Sequence, residues 1–377
     1  MKSNPLLELQ SLGQSIWIDF ISRGIISSGE LQRMIKEDGV SGVTSNPSIF
    51  EKAITKSDDY DEAIRALTVQ GKTTDEVYQL LTVEDIQMVA DVLRPTYDRT
   101  DGQDGFVSLE VSPNLAHDTQ GTIQEARLLW SLVDRPNSMI KVPATREGLD
   151  AIKELTGEGV NVNITLLFGL PRYQEVVNAY LDGLEILANK GGNLHFVASV
   201  ASFFLSRIDV LLDPVLETKK KESGPTAEIA SILQGQVAIA SARVAYQLYK
   251  EFFHSDRFAG LAAKGARPQR LLWASTSTKN PMYGDTKYVE PLIGPETINT
   301  VPVETLHAYR DHGRPQLSLE QNISRAYHTL NKLSLVGIDL ERATQQLEEE
   351  GVEKFVSALE RLMLSLREKQ AAIHTTV

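Results

Sequence analysis

Lys141 stands in Ser138-Met139-Ile140-Lys141-Val142, an apolar run in which a charged side chain is out of place. Other lysines, such as Lys153, Lys190 and Lys221, sit beside Glu, Gly or further Lys residues, as solvated side chains do. An amine must lose its proton before it attacks a carbonyl, and a free lysine, with a pKa of about 10.4, holds its proton at neutral pH. Burial of an amine disfavours the ammonium form and so supplies a nucleophile. Taken alone, such a lysine equally suits a phosphate-binding role or an ion pair. Four more polar side chains lie in similar apolar runs: Asp19, Glu110, Asn163 and Thr165. An amine, two carboxylates, an amide and a hydroxyl are the components of carbonyl chemistry with proton transfer. The plainer alternative is a structural ion pair between Asp19 and Lys141, which leaves Glu110, Asn163 and Thr165 without a reason to be there.

Eight short β-rich segments can hold these residues: 15–20, 42–45, 105–111, 138–142, 161–167, 194–200, 270–275 and 297–301. Side chains alternate along a strand, so Asp19 shares a face with Trp17, Ser108 with Glu110, Met139 with Lys141, and Asn161 with Asn163 and Thr165. By the same rule His195 shares a face with Val197 and Ser199, where a satisfied structural role is the better expectation. Amphipathic stretches at 28–37, 74–98, 120–132, 145–158 and 170–190 have the spacing of helices that cover a sheet. Strand and helix alternating eightfold predicts an α/β fold of the (β/α)8 TIM-barrel class. The polar residues fall toward the C-terminal ends of their strands, where barrel enzymes carry their chemistry. No Gly-rich strand-to-helix fingerprint follows any strand, which lowers the dinucleotide-binding reading.

The chain of 377 residues, 42% hydrophobic, exceeds the ~250 typical of such a barrel. The excess is expected between the second and third strands, in 209–228 and in the tail. Residues 1–377 read as one domain, with a barrel core at about 15–315 and a helical C-terminal extension at about 316–377, one or two packed helices in which no chemistry is visible. The absence of cysteine removes disulfides, thiolate metal sites and a cysteine nucleophile together. The seven histidines, at 117, 195, 254, 307, 312, 328 and 374, form no close ligand pair, so no metal is expected. A net charge of −12 argues against nucleic acid and anionic membrane, and Lys219-Lys220-Lys221 reads as a solvated loop. Neither a signal peptide nor a membrane-spanning run is visible, so a cytoplasmic protein is expected, as a monomer or homodimer.

Five segments carry a family resemblance. Gly42-Val43-Thr44-Ser45-Asn46-Pro47-Ser48 resembles the transaldolase signature, and Ile140-Lys141-Val142-Pro143-Ala144-Thr145 resembles its Schiff-base lysine segment. Asn161 to Phe168, Ala201 to Arg207 and Leu272 to Asn280 are similar to three further segments, and with Asp19 the match spans roughly residues 15 to 300 in order. The resemblance implies a cofactor-free barrel that moves a dihydroxyacetone unit from sedoheptulose 7-phosphate or fructose 6-phosphate to an aldose phosphate. It implies that Lys141 forms the imine, Asp19 takes the donor hydroxyl proton, and Glu110 and Thr165 handle a catalytic water. Asn46 and Asn163 would hold the donor hydroxyls, Ser202 and Arg207 the phosphate, and Phe204 would pack over the chain or serve as a core aromatic. Lys279 would add a phosphate contact. There the shorter branch of the family has an arginine after a briefer spacer, so the chain resembles the longer branch of bacteria and plants. The rival readings are a fructose 6-phosphate aldolase without transfer and a phosphosugar-binding barrel without catalysis. Pyridoxal phosphate also uses a lysine imine, but nothing suggests a partner for its pyridinium nitrogen.

Overall fold

Short strands with no solvent-facing side need cover on both faces, and the chain supplies it by closing the sheet on itself. The computed structural model describes residues 4–376. Eight parallel strands form a closed barrel in chain order. They are β1 Gln14–Ile18, β2 Val40–Val43, β3 Phe106–Glu110, β4 Ser138–Pro143, β5 Val162–Leu167, β6 Ser199–Phe204, β7 Arg270–Ala274 and β8 Thr297–Val301, and β8 pairs with β1. Helices pack outside, among them Thr74–Arg99, Thr119–Val133, Arg146–Thr156, Leu170–Asn189 and Val237–Phe253. The starts of the first three are set by side chains that accept from otherwise orphaned backbone N–H groups. Thr73 and Glu76 form a reciprocal capping box at the first, and Asp118 and Thr145 cap the second and third. The expected (β/α)8 class is the observed one.

The lumen is stoppered at the N-terminal ends of the strands. Trp17 lies across Gly42 of the neighbouring strand, where a Cβ atom would come within 2.3 Å of the indole. Glycine is required there by space, not by backbone conformation. Below the indole, Asp104 accepts from Trp17 Nε1 at 2.7 Å, from Ser41 Oγ at 2.9 Å and from Ser15 Oγ, with Arg270 Nη1 at 3.9 Å. This polar floor leaves the C-terminal ends of the strands as the way in.

Seven of the eight expected strands lie within two residues of their observed limits at either end. The sixth was displaced. Leu194–Phe196 forms a 3-10 turn, tightened by Asn193 accepting from the His195 N–H at 3.0 Å, and β6 begins only at Ser199. His195 is therefore not on a strand. It packs at the surface, 3.3 Å from Asp101 and 3.1 Å from Arg267. In the tail, Ile323–Lys332 is followed by one unbroken 37-residue helix, Leu340–Thr376, which crosses the barrel's C-terminal side.

Candidate active site

Parallel register decides which polar residues meet. Glu110 on β3 is level with Lys141 on β4, which is level with Asn163 on β5, while Thr165 pairs with Pro143. Lys141 Nζ lies 3.3 Å from Glu110 Oε2, with both side chains buried, and donates to the Ser45 carbonyl at 3.0 Å. The Asp19–Lys141 ion pair considered from sequence does not form. Lys141's ionic partner is Glu110, because register places it one strand away, whereas Asp19 is held by Thr44. Thr44 Oγ1 donates to Asp19 Oδ1 at 2.7 Å and lies 2.8 Å from Thr300 Oγ1.

Asp19, Thr44, Asn46, Lys141, Ser202, Arg207 and Lys279 all line one open cavity of about 680 Å³ at the barrel mouth. Burial raises the Asp19 carboxyl above its ordinary range, against the opposing pull of Lys141, Thr44 and Arg207. Burial likewise raises Glu110, against the attraction of Lys141. Two carboxylates of raised affinity for protons beside one amine form a proton-exchanging set.

Asn46 caps helix Pro47–Thr55, its Oδ1 accepting from the Ile49 N–H at 3.1 Å. Asn163, Glu110 and Thr165 do not border the mouth cavity. Asn163 is fully buried, donating to Ser108 Oγ at 2.9 Å and accepting from Ser202 Oγ at 2.7 Å, so that it braces the lumen beside Lys141. Thr165 Oγ1 is buried without a hydrogen-bond partner. The next residue, Leu166, has φ of 55°, and the β5–β6 register is irregular there. Left-handed backbone at a branched residue is strained, and such strain gathers at functional sites. Simple alternation along β5 could not have announced it.

Arg207 is the second residue of helix Ser206–Lys219, which begins two residues after β6 ends at Phe204. Its guanidinium lies 5.3 Å from the Phe204 ring centroid and 5.7 Å from that of Phe355, and its buried Nη1 has no hydrogen-bond partner. Unmet buried donors are uncommon and call for an occupant. Phe355 comes from the C-terminal helix, the stretch in which no chemistry was visible from sequence, and its ring lies against Arg207. A Cβ atom at Gly351 would lie 2.9 Å from Leu166 Cδ2 and 3.4 Å from Arg207 Nη1, so glycine lets the helix settle onto the mouth. Lys279, on the loop after β7, is exposed and donates to Ser277 Oγ at 2.6 Å. Nearby, Ser275 has φ of 54° and its Oγ meets Ser206 Oγ at 2.9 Å, tying that loop to the Arg207 helix.

Sequence reasoning passed over Thr44, Ser45 and Phe355. The first two stood inside a quoted motif; a phenylalanine in a distant amphipathic helix gives no signal. Among the described residues no three of His, Asp and Glu come together to hold a metal ion, and no helix is long and apolar enough to cross a membrane.

A family model for transaldolase/fructose-6-phosphate aldolase matches residues 16–366. A transaldolase of Thiobacillus denitrificans is 47% identical over 363 residues, covering 96% of this chain and 99% of the relative. One from Trichodesmium erythraeum is 46% identical over 373 residues, 98% of each chain. One from Thermobifida fusca is 47% identical over 375 residues, 99% of this chain and 100% of the relative.

Proposed function

The chain belongs to the transaldolase family, and from that membership we propose how its own residues carry out the reaction. It is a transaldolase enzyme acting on sugar phosphates, and the relatives' shared identity disfavours the aldolase and the non-catalytic alternatives. The observation that carries the proposal is the buried Lys141–Glu110 pair at the edge of a cavity shared with Asp19 and Arg207.

Lys141 attacks the ketone carbon of the donor, and loss of water leaves an iminium ion on Nζ. Its positive nitrogen draws electrons from the adjoining carbon–carbon bond. Asp19 removes the proton of the hydroxyl beyond that bond, so the bond breaks and an aldose phosphate departs. The enamine stays on Lys141, adds to the second aldose phosphate, and hydrolysis frees a ketose phosphate three carbons longer than that acceptor. Glu110 and Thr165 serve the water of the first and last steps. Asn46, which lines the mouth, holds the hydroxyls of the three-carbon fragment, and Asn163, buried behind the mouth, acts on them through Ser202, whose hydroxyl it holds. Ser202, Arg207 and Lys279 receive the phosphate, for which a guanidinium offers paired donors and a lysine a point charge. Sedoheptulose 7-phosphate and fructose 6-phosphate are the donors, and glyceraldehyde 3-phosphate and erythrose 4-phosphate the acceptors.

Borohydride reduction in the presence of fructose 6-phosphate tests this. A dihydroxyacetone adduct on the Lys141 peptide is expected; an adduct elsewhere, or none, overturns the assignment. Without borohydride, erythrose 4-phosphate added beside fructose 6-phosphate should give sedoheptulose 7-phosphate with little free dihydroxyacetone.

A further inference from the structure

A second cavity reaches the reacting centre from the side. About 500 Å³ in volume, it lies between helix Thr74–Arg99, helix Thr119–Val133 and the C-terminal helix. Glu110 lines this flank cavity and not the mouth, while Lys141 lines the mouth and not the flank. The 3.3 Å pair is therefore the partition between two openings. Their charges differ in kind. The mouth presents Lys52, Lys141, Arg207 and Lys279 beside its carboxylates. The flank presents Asp75 and Tyr78 from one helix, Glu125 from the second, Glu360 and Arg367 from the C-terminal helix, and Glu110 at its inner end. Four carboxylates against one arginine repel a sugar phosphate but admit water and protons.

Imine formation must discharge one water. The neutral amine bonds to the ketone carbon; the carbonyl oxygen leaves as water, carrying one proton from the amine and one from an acid; one proton stays on the iminium nitrogen. Hydrolysis reverses each transfer. At both moments a sugar phosphate occupies the mouth, between Lys141 and solvent on that side.

We propose that the flank cavity is the water and proton passage for Schiff-base formation and hydrolysis, with Glu125 and Tyr78 as positioning residues that act through Glu110. The inference rests on the Schiff-base reading above. The polar groups run inward in order of burial: Asp75, Glu360 and Arg367 are exposed at the rim, Tyr78 and Glu125 are half-buried, and Glu110 is deepest. Glu125 Oε2 accepts from the Ser112 N–H at 2.8 Å, which fixes it in the wall, and burial raises its affinity for a proton. The Tyr78 hydroxyl is influenced by both Glu125 and Glu110, and burial with those charges keeps it protonated. A cavity of this size with polar walls holds several waters.

The test compares Glu125→Gln, Tyr78→Phe and Leu129→Phe, the last filling the cavity without altering charge. Two quantities are read: the rate at which the C2 oxygen of fructose 6-phosphate exchanges with ¹⁸O-labelled water, and the equilibrium fraction of Lys141 trapped by borohydride. Exchange is expected to fall about tenfold or more, below the ~10²–10⁴ of a group acting directly. The trapped fraction and melting midpoint should stay near native, and Glu125→Asp should restore part of the exchange. Exchange within about twofold of native in both Glu125→Gln and Leu129→Phe overturns the passage. If Leu129→Phe does not fold, the near-isosteric Glu125→Gln decides alone. An unmodified protein that forms no adduct overturns the Schiff-base reading instead, so the two failures are told apart.

Discussion

Replacing Arg207 by methionine keeps an unbranched apolar stem between Phe204 and Phe355 and removes the charge. In the ligand-free protein the guanidinium holds a buried Nη1 with no partner, a defect worth about 1–3 kcal/mol. Against that stand its two ring contacts, at 5.3 and 5.7 Å, each worth roughly 0.5–2 kcal/mol. The two effects nearly offset, so Arg207→Met should change ligand-free stability by no more than ~1 kcal/mol. Binding should change far more. One charge-assisted hydrogen bond to phosphate, at about 3 kcal/mol, corresponds to roughly 10²-fold in the KM for fructose 6-phosphate. Thermal denaturation with and without inorganic phosphate, beside initial rates, separates the effects. Phosphate should raise the native midpoint and leave that of Arg207→Met unmoved. An equal rise in both proteins, or a KM shift below about threefold, would mean that the unpartnered guanidinium is not the anion site.

Lys141→Met should abolish the borohydride adduct while leaving the circular dichroism spectrum native; surviving turnover would demand another nucleophile. Thr44→Val removes a hydrogen bond that lowers the Asp19 carboxyl, so the acid limb of the pH–rate profile should move to higher pH, and an unmoved limb would detach Asp19 from the rate. Burial raises Asp85 from 3.8 to about 6 beside Arg23 and Tyr60. The folded state then binds more protons than the unfolded one between those values, so this group's contribution to stability falls as pH rises through the window. Urea titrations should show Asp85→Asn gaining about 2 kcal/mol on the native protein between pH 4 and pH 7, and parallel curves would refute it. Gly42→Ala drives a methyl group into the Trp17 indole and should cost about 1–3 kcal/mol or more, seen as a lowered urea midpoint.

The barrel was legible because its strands are buried on both faces and separated by strongly amphipathic helices, so period alone divided them. The sixth strand was misplaced because Leu194-His195-Phe196-Val197 has strand-forming side chains, yet Asn193 bonds locally and tightens the chain into a turn. The polar residues of the lumen were visible as interruptions of apolar runs. Their pairing was not: whether Lys141 meets Asp19 or Glu110 depends on register between strands, which no single strand encodes. The Leu166 kink and the approach of Phe355 involve segments far apart in sequence, Leu166 with Gly351 and Arg207 with Phe355, and leave no local trace.

The helix that carries Gly351 and Phe355 gives the molecule an order of completion. All eight strands are encoded before residue 302, and the helix that backs Arg207 begins at Leu340, beyond an irregular stretch at 313–318. A ribosome thus delivers the strands and Lys141 first, and the helix that brings Phe355 to Arg207 afterwards. Cleavage in that stretch with loss of the tail would leave Lys141 in its strand and Arg207 without the Phe355 ring beside it.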